Sequence, residues 1–129
     1  MSRQNVEVVR RAFEYKLGRV ERAEAASAFD PEFVANPVEE GPSHGPEAAR
    51  GVFDRWKNAW EEFEVTAEEF LDAGDRVLVT VYCRGRGRGS GVEVEARFYE
   101  VYALRKGRVV RSDEYTGRAA ALEAAGLSG

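Results

Sequence analysis

Alternation of apolar and polar residues is clearest in the second half of the chain. Val77, Val79, Val81 and Cys83 alternate with Leu78, Thr80 and Tyr82, and two more such runs lead to Tyr115. Period-two patterning predicts three consecutive antiparallel strands from Val77 to Tyr115. A two-residue turn at Gly89-Ser90 sets Arg86 opposite Glu93 and Arg84 opposite Glu95, opposite-charge pairs that favour this register. The same register joins Val77, Val79, Val81 and Cys83 to Tyr102, Glu100, Phe98 and Ala96 on one face. A second turn at Lys106-Gly107 pairs Leu104 with Val109, Tyr102 with Arg111, Glu100 with Asp113 and Phe98 with Tyr115. An apolar sheet face is thereby expected to carry two carboxylates, an arginine and two tyrosines. A β-bulge would turn some of them to the other face.

The first half carries helical spacing. Val6, Val9, Phe13 and Leu17 mark an amphipathic helix over 3–17 that Gly18 ends. Residues 20–29 form a shorter helical segment stopped at Asp30-Pro31, and Phe33-Val34 is a brief extended piece leading to Asn36-Pro37. Residues 38–45 are loop chemistry. Pro46 and Glu47 open a third helix, along which Ala49, Val52, Phe53, Trp56, Ala59, Trp60 and Phe63 recur at spacings of three and four. Residues 64–72 suit either helix or strand. They are read as a strand because the Ala73-Gly74-Asp75 turn follows. Thr116 caps a last helix over 118–125, which Gly126 ends.

The chain has 129 residues and reads as one domain, large enough to bury a core without disulfides. Nineteen basic against 23 acidic residues leave a formal charge of −4, which argues against nucleic-acid binding. Cys83 is the sole cysteine, so no intrachain disulfide forms, and it reads as a small buried hydrophobe. No apolar run is long enough to span a bilayer, and the N-terminus has no signal-peptide pattern, so a cytoplasmic protein is expected. The run from Arg84 to Gly91 alternates arginine and glycine. In this register it is a hairpin tip stitched by exposed ion pairs and no RNA-binding tail. His44 is the sole imidazole; a single histidine cannot make a multi-ligand metal site, so no metal is expected.

The order of elements, helices and then a long antiparallel sheet, resembles the nuclear transport factor 2-like fold, and the sequence resembles its SnoaL-like and ketosteroid-isomerase-like branch. Asp30-Pro31, Asn36-Pro37, His44-Gly45-Pro46-Glu47, Ala73–Val77, Lys106–Val110 and the closing helix carry the resemblance. It implies an α+β cone of N-terminal helices on a curved antiparallel sheet of four to six strands, with a mostly apolar ligand inside. Ketosteroid isomerases place a general-base aspartate where this chain has Asn36. An amide cannot accept a proton there. Their first-helix tyrosine falls near Ala12 and Phe13, with Tyr15 a poor match, whereas their second acid corresponds to Glu100. Limonene-epoxide-hydrolase-like relatives use two carboxylates bridged by an arginine, chemical types that Asp113, Glu100 and Arg111 supply here.

Two facing carboxylates in a pocket of low dielectric titrate together, which provides an acid and a base at one pH. Asp113, Glu100 and Arg111 are therefore the expected catalytic residues. Tyr15, Asn36, His44, Trp56, Trp60, Phe98, Tyr102 and Tyr115 are the expected ligand contacts, with His44 as a lid. Two classes stay open. One is a cofactor-free isomerase, cyclase or epoxide-hydrolase-like enzyme acting on a small apolar organic molecule. The other is a non-catalytic ligand-binding or dimerisation module. A homodimer is expected through the sheet face of Leu78, Thr80, Tyr82, Tyr99 and Val101.

Overall fold

A computed structural model describes residues 2–38 and 41–127; the Ser2 and Val52 side chains lie outside the described set, as do Glu39 and Glu40 of the expected loop. Helix α1 spans Ser2–Lys16 and α2 Arg22–Ala25, followed by a 3-10 turn at Ala26–Ala28. Strand β1 is Phe29–Asn36, β2 Ser43–His44, and helix α3 Pro46–Asn58. Strands β3 (Trp60–Asp72), β4 (Arg76–Gly87), β5 (Glu93–Arg105) and β6 (Arg108–Tyr115) precede helix α4, Arg118–Ala125. The strands form one curved six-stranded sheet in the order β2-β1-β6-β5-β4-β3.

The main core lies between α1–α3 and the inner sheet face. It joins Val9, Phe13, Phe33 and Tyr102 to the alternate β4 residues Val77, Val79, Val81 and Cys83. A smaller core on the outer face places Ala121 and Ala125 of α4 on Leu78 and Val101. Much of the apolar area expected to form a homodimer interface is thus covered within the chain. Among the described residues no helix is long and apolar enough to cross a membrane.

The β4–β5 register is as the charges predict: Arg86 faces Glu93, Arg84 faces Glu95, and Val79 faces Glu100. The hairpin tip is wider than a two-residue turn, since Gly91 donates its N–H to the Gly87 carbonyl and Gly87 donates to Val92. Lys106 and Gly107 both take positive φ, 54° and 75°, in a tight β5–β6 turn.

Three elements depart from the pattern. The brief extended piece is a full strand, β1, which lies between β2 and β6 and runs parallel to β6. Pro31 cannot donate to a ladder, and it lies within the register shift between Phe29 and Val34. The expected stop at Asp30-Pro31 therefore falls inside this strand. Helix α3 ends at Asn58, so Trp60 and Phe63 belong to β3. Their spacing of three suits a helix and not a regular strand; a register slip between Trp60 and Glu62 accommodates it, and pairing with the long β4 decides for strand. Within β3 the register slips between Ala67 and Glu69. Val65 and Ala67 point inward before the slip and Phe70 after it, so no single alternation runs through 64–72.

Trp60 lies against Gly85: a Cβ placed there would come within 2.8 Å of two ring atoms. Alanine in a strand would ordinarily outdo glycine. Here Gly85→Ala should destabilise by about 1–3 kcal/mol through overpacking, read as a lower urea midpoint, and adding Trp60→Val should restore much of the loss.

Candidate functional site

Between Ala103 and Leu104 the β5–β6 ladder slips by one residue. Leu104 still faces Val109, but Ala103 faces Arg111, so Val110 has no cross-strand partner. Beyond this bulge every β6 side chain changes face. Tyr102 faces Ser112 and Glu100 faces Glu114, whereas Asp113 faces Val101. The expected inner cluster of Glu100, Arg111 and Asp113 is accordingly not assembled. Arg111 and Asp113 lie on the outer face, where Arg111 Nε is 2.9 Å and 3.0 Å from the two Asp113 oxygens. Asn36 Nδ2 donates to Asp113 Oδ1 at 2.9 Å. The bond to Asp113 raises the Arg111 pKa above its ordinary value. Tyr115 faces Tyr99 and packs in the α4 core.

Inside the cone is an open cavity with about 70 Å³ of room for the centres of water-sized spheres, several times the roughly 10–15 Å³ that admits one water. Its apolar wall includes Phe53 and Trp56 from α3, Phe63 from β3 and Phe98 from β5. The charged groups on its wall are Lys16 from the end of α1, Glu100 and Glu114. Ser112 adds a hydroxyl, and Asn36 borders the cavity although its amide nitrogen is engaged by Asp113.

Lys16 Nζ donates to Glu100 Oε2 at 3.0 Å and to Tyr102 Oη at 2.9 Å, and Tyr102 Oη donates to Glu100 Oε1 at 2.7 Å. The Lys16 and Glu100 side chains are only 10% and 11% exposed. Each charge is thus satisfied by direct hydrogen bonds, without which burial would be costly. Full burial, followed by the charge of Glu100, its hydrogen bond and the charge of Glu114, raises the Tyr102 pKa well above the ordinary tyrosine value. Glu114 accepts the Val38 backbone N–H at 2.9 Å. The cavity therefore holds two opposed carboxylates in unlike settings, one clamped by an ammonium and a phenol, the other further toward solvent.

Of the expected ligand contacts, Trp56, Phe98 and Asn36 border the cavity. Tyr102 is fully buried behind Glu100. Tyr15 is buried in the core with its ring 5.6 Å from Phe29. Trp60 lies over Gly85 and stacks on Phe63, and His44 is exposed on the edge strand opposite Val34. Lys16 and Glu114 escaped the sequence reading. Lys16 had a signal, since its spacings of four from Ala12 and three from Phe13 put it on the buried stripe of α1. Glu114 had none, because its face depends on the bulge.

Residues 9–112 match the SnoaL-like domain. The chain belongs to this family. Solved structures agree in fold. A SnoaL-like polyketide cyclase candidate from Jannaschia sp. CCS1 is 23% identical, with a TM-score of 0.73 over 99% of this chain and 94% of that one. An NTF2-like protein from Burkholderia thailandensis E264 is 21% identical, with a TM-score of 0.72 over 94% and 95%. A protein of ketosteroid isomerase-like fold from Catenulispora acidiphila DSM 44928, solved with trimethylamine, is 18% identical, with a TM-score of 0.68 over 94% and 93%. No curated protein matches the sequence. The SnoaL-like fold expected from the motifs is thus the fold present.

Removing one member of the buried ion pair strands the other. Lys16→Met should cost about 3–5 kcal/mol of unfolding free energy by urea titration, and Lys16→Met combined with Glu100→Gln should recover much of it. Tyr102 generates a pH dependence. Because its folded pKa is raised, its contribution is complete below about pH 10, the unfolded tyrosine value, and declines as pH climbs toward the folded value. Urea midpoints measured from pH 8 to 11 should fall more steeply above pH 10 in the wild type than in Tyr102→Phe.

Proposed function

We propose that this SnoaL-like protein is a cofactor-free acid–base enzyme acting on a small, largely apolar organic molecule held in the cone. The observation that carries this reading is the pair Glu100 and Glu114, facing each other across adjacent strands on the wall of one apolar cavity. Glu114 takes the part that Asp113 was expected to play and moves the proton. Lys16 spends two of its three N–H groups on Glu100 and Tyr102, and the third serves a substrate oxygen on which negative charge develops. Glu100 and Tyr102 hold that ammonium in place. Enolisation next to a carbonyl is the simplest step with these parts, and isomerisation and cyclisation both proceed through it. A homodimer through the outer sheet face remains a separate proposal. It rests on the area around Tyr82 that α4 leaves open, which is polar and bonded to Glu95.

Exchange of α-hydrogens for deuterium tests the assignment with cyclohexanone and 2-tetralone as probes, followed by proton NMR in D2O. The wild type should exchange them above the buffer rate, Glu114→Gln should lose about 10²-fold or more, and Asp113→Asn should stay within about twofold. Probes that bind by saturation-transfer NMR yet exchange only at the buffer rate would instead make the chain a binding module.

A further inference from the structure

Four of the five rings in the cavity wall lie together, and the fifth, Phe13, is on α1 one turn from Lys16. Trp56 lies 6.3 Å from Phe63 at 74° and 5.8 Å from Phe98 at 69°, and Phe53 lies 5.8 Å from Phe63 at 46°. Planes that meet at such angles enclose a corner, and the flat stack that Phe63 makes is with Trp60, outside the wall. The corner has a definite position along the sheet. Phe98 and Glu100 are successive inward residues of β5, and Tyr102, whose hydroxyl accepts from Lys16 at 2.9 Å, is the next. With about 3.4 Å per strand residue, the inward positions lie about 7 Å apart. The cavity thus has an aromatic end, a middle flanked by Glu100 and Glu114, and a far end at Lys16 and Ser112.

The charges have a sign. Among the described residues on the wall, Lys16 contributes one positive charge and Glu100 and Glu114 two negative ones, a net −1. Lys16 is engaged by Glu100 at 3.0 Å, at the end away from the rings. Burial raises both the Tyr102 phenol and the Cys83 thiol, and the negative charge of Glu114 adds to each rise. Faces of aromatic rings attract cations, most strongly where water is excluded. Rings and carboxylates side by side therefore favour one kind of group.

We infer that the aromatic end of the cavity is a subsite for a small quaternary or protonated tertiary ammonium group, so that the substrate is a cation carrying an oxygen function toward Lys16. This inference rests on the catalytic reading for the word substrate; the subsite itself stands on the rings and the charge. It also implies that anions of the same shape are rejected.

Three isosteric probes test it by isothermal titration calorimetry on the wild type: choline, neutral 3,3-dimethylbutan-1-ol and anionic 3,3-dimethylbutanoate. Choline should bind at least tenfold more tightly than the neutral alcohol, and the anion least. Glu114→Gln should erase most of the preference for choline over the alcohol while leaving the alcohol within about threefold, and Trp56→Leu should weaken choline tenfold or more. Equal binding of choline and the alcohol, tighter binding of the anion, or no binding of choline would each overturn the subsite. None of these decides the deuterium exchange, which fails or succeeds on the ketone probes alone. The wild-type comparison stands even if a variant does not fold.

Discussion

The bulge at Val110 constrains the molecule on both faces of its sheet. Without it, the inner face would bury Arg111 beside Tyr102, in the neighbourhood already occupied by the Lys16 ammonium. Two cations would then compete for Glu100 in a region of low dielectric, and the desolvation of an arginine would have to be met by a further acid. With the bulge, Arg111 is exposed and Ser112 is the small inward residue that leaves room in the cone. The same slip brings Tyr115 opposite Tyr99, where α4 packs over both. One unpaired residue therefore sets the contents of the cavity and the seat of the last helix.

The Lys16–Glu100–Tyr102 network ties α1 to the sheet at that site. Its energetic weight lies less in net stabilisation than in specificity. A buried ion pair roughly repays its own desolvation, but a misplaced helix would leave the charges unpaired at a cost of several kcal/mol. Alternative dockings of α1 are penalised for that reason. Lysine at the C-terminal end of the helix also meets the negative end of the helix dipole. Nearly all the apolar packing of α1 would tolerate small shifts, but a hydrogen bond of 3.0 Å does not.

The second bulge, in β3, has a matching role at the outer surface. Glu68 at the slip is held by Arg97 at 2.6 Å and 3.1 Å. Glu69 just beyond it binds Arg118 at 2.9 Å and Thr80 at 3.0 Å, joining α4 to the sheet. Exposed pairs of this kind contribute little individually. Their value is positional, because they mark which residue of the ladder is the extra one. At both of these slips side chains of opposite charge hold the irregular strand.

Local period and turn chemistry made much of the molecule legible in its sequence. The register from Arg76–Ala103 to Arg86–Glu93 was legible because the hairpin is local and its charges are complementary. The limits of α1 and α4, the Lys106-Gly107 turn and the placement of Trp56, Phe98 and Glu100 on the cavity wall followed from the same patterns. Tertiary structure alone decided the rest. Strand β1 pairs in parallel with a segment far along the chain, a contact that no local pattern encodes. Trp60 became a strand residue because β4 extends far enough to pair with it, and because Gly85 leaves its ring space. Asp113 and Glu114 are adjacent carboxylates, and nothing in their own neighbourhood says which one turns inward. A one-residue slip in pairing settles it, since side chains on a strand alternate with a period of two.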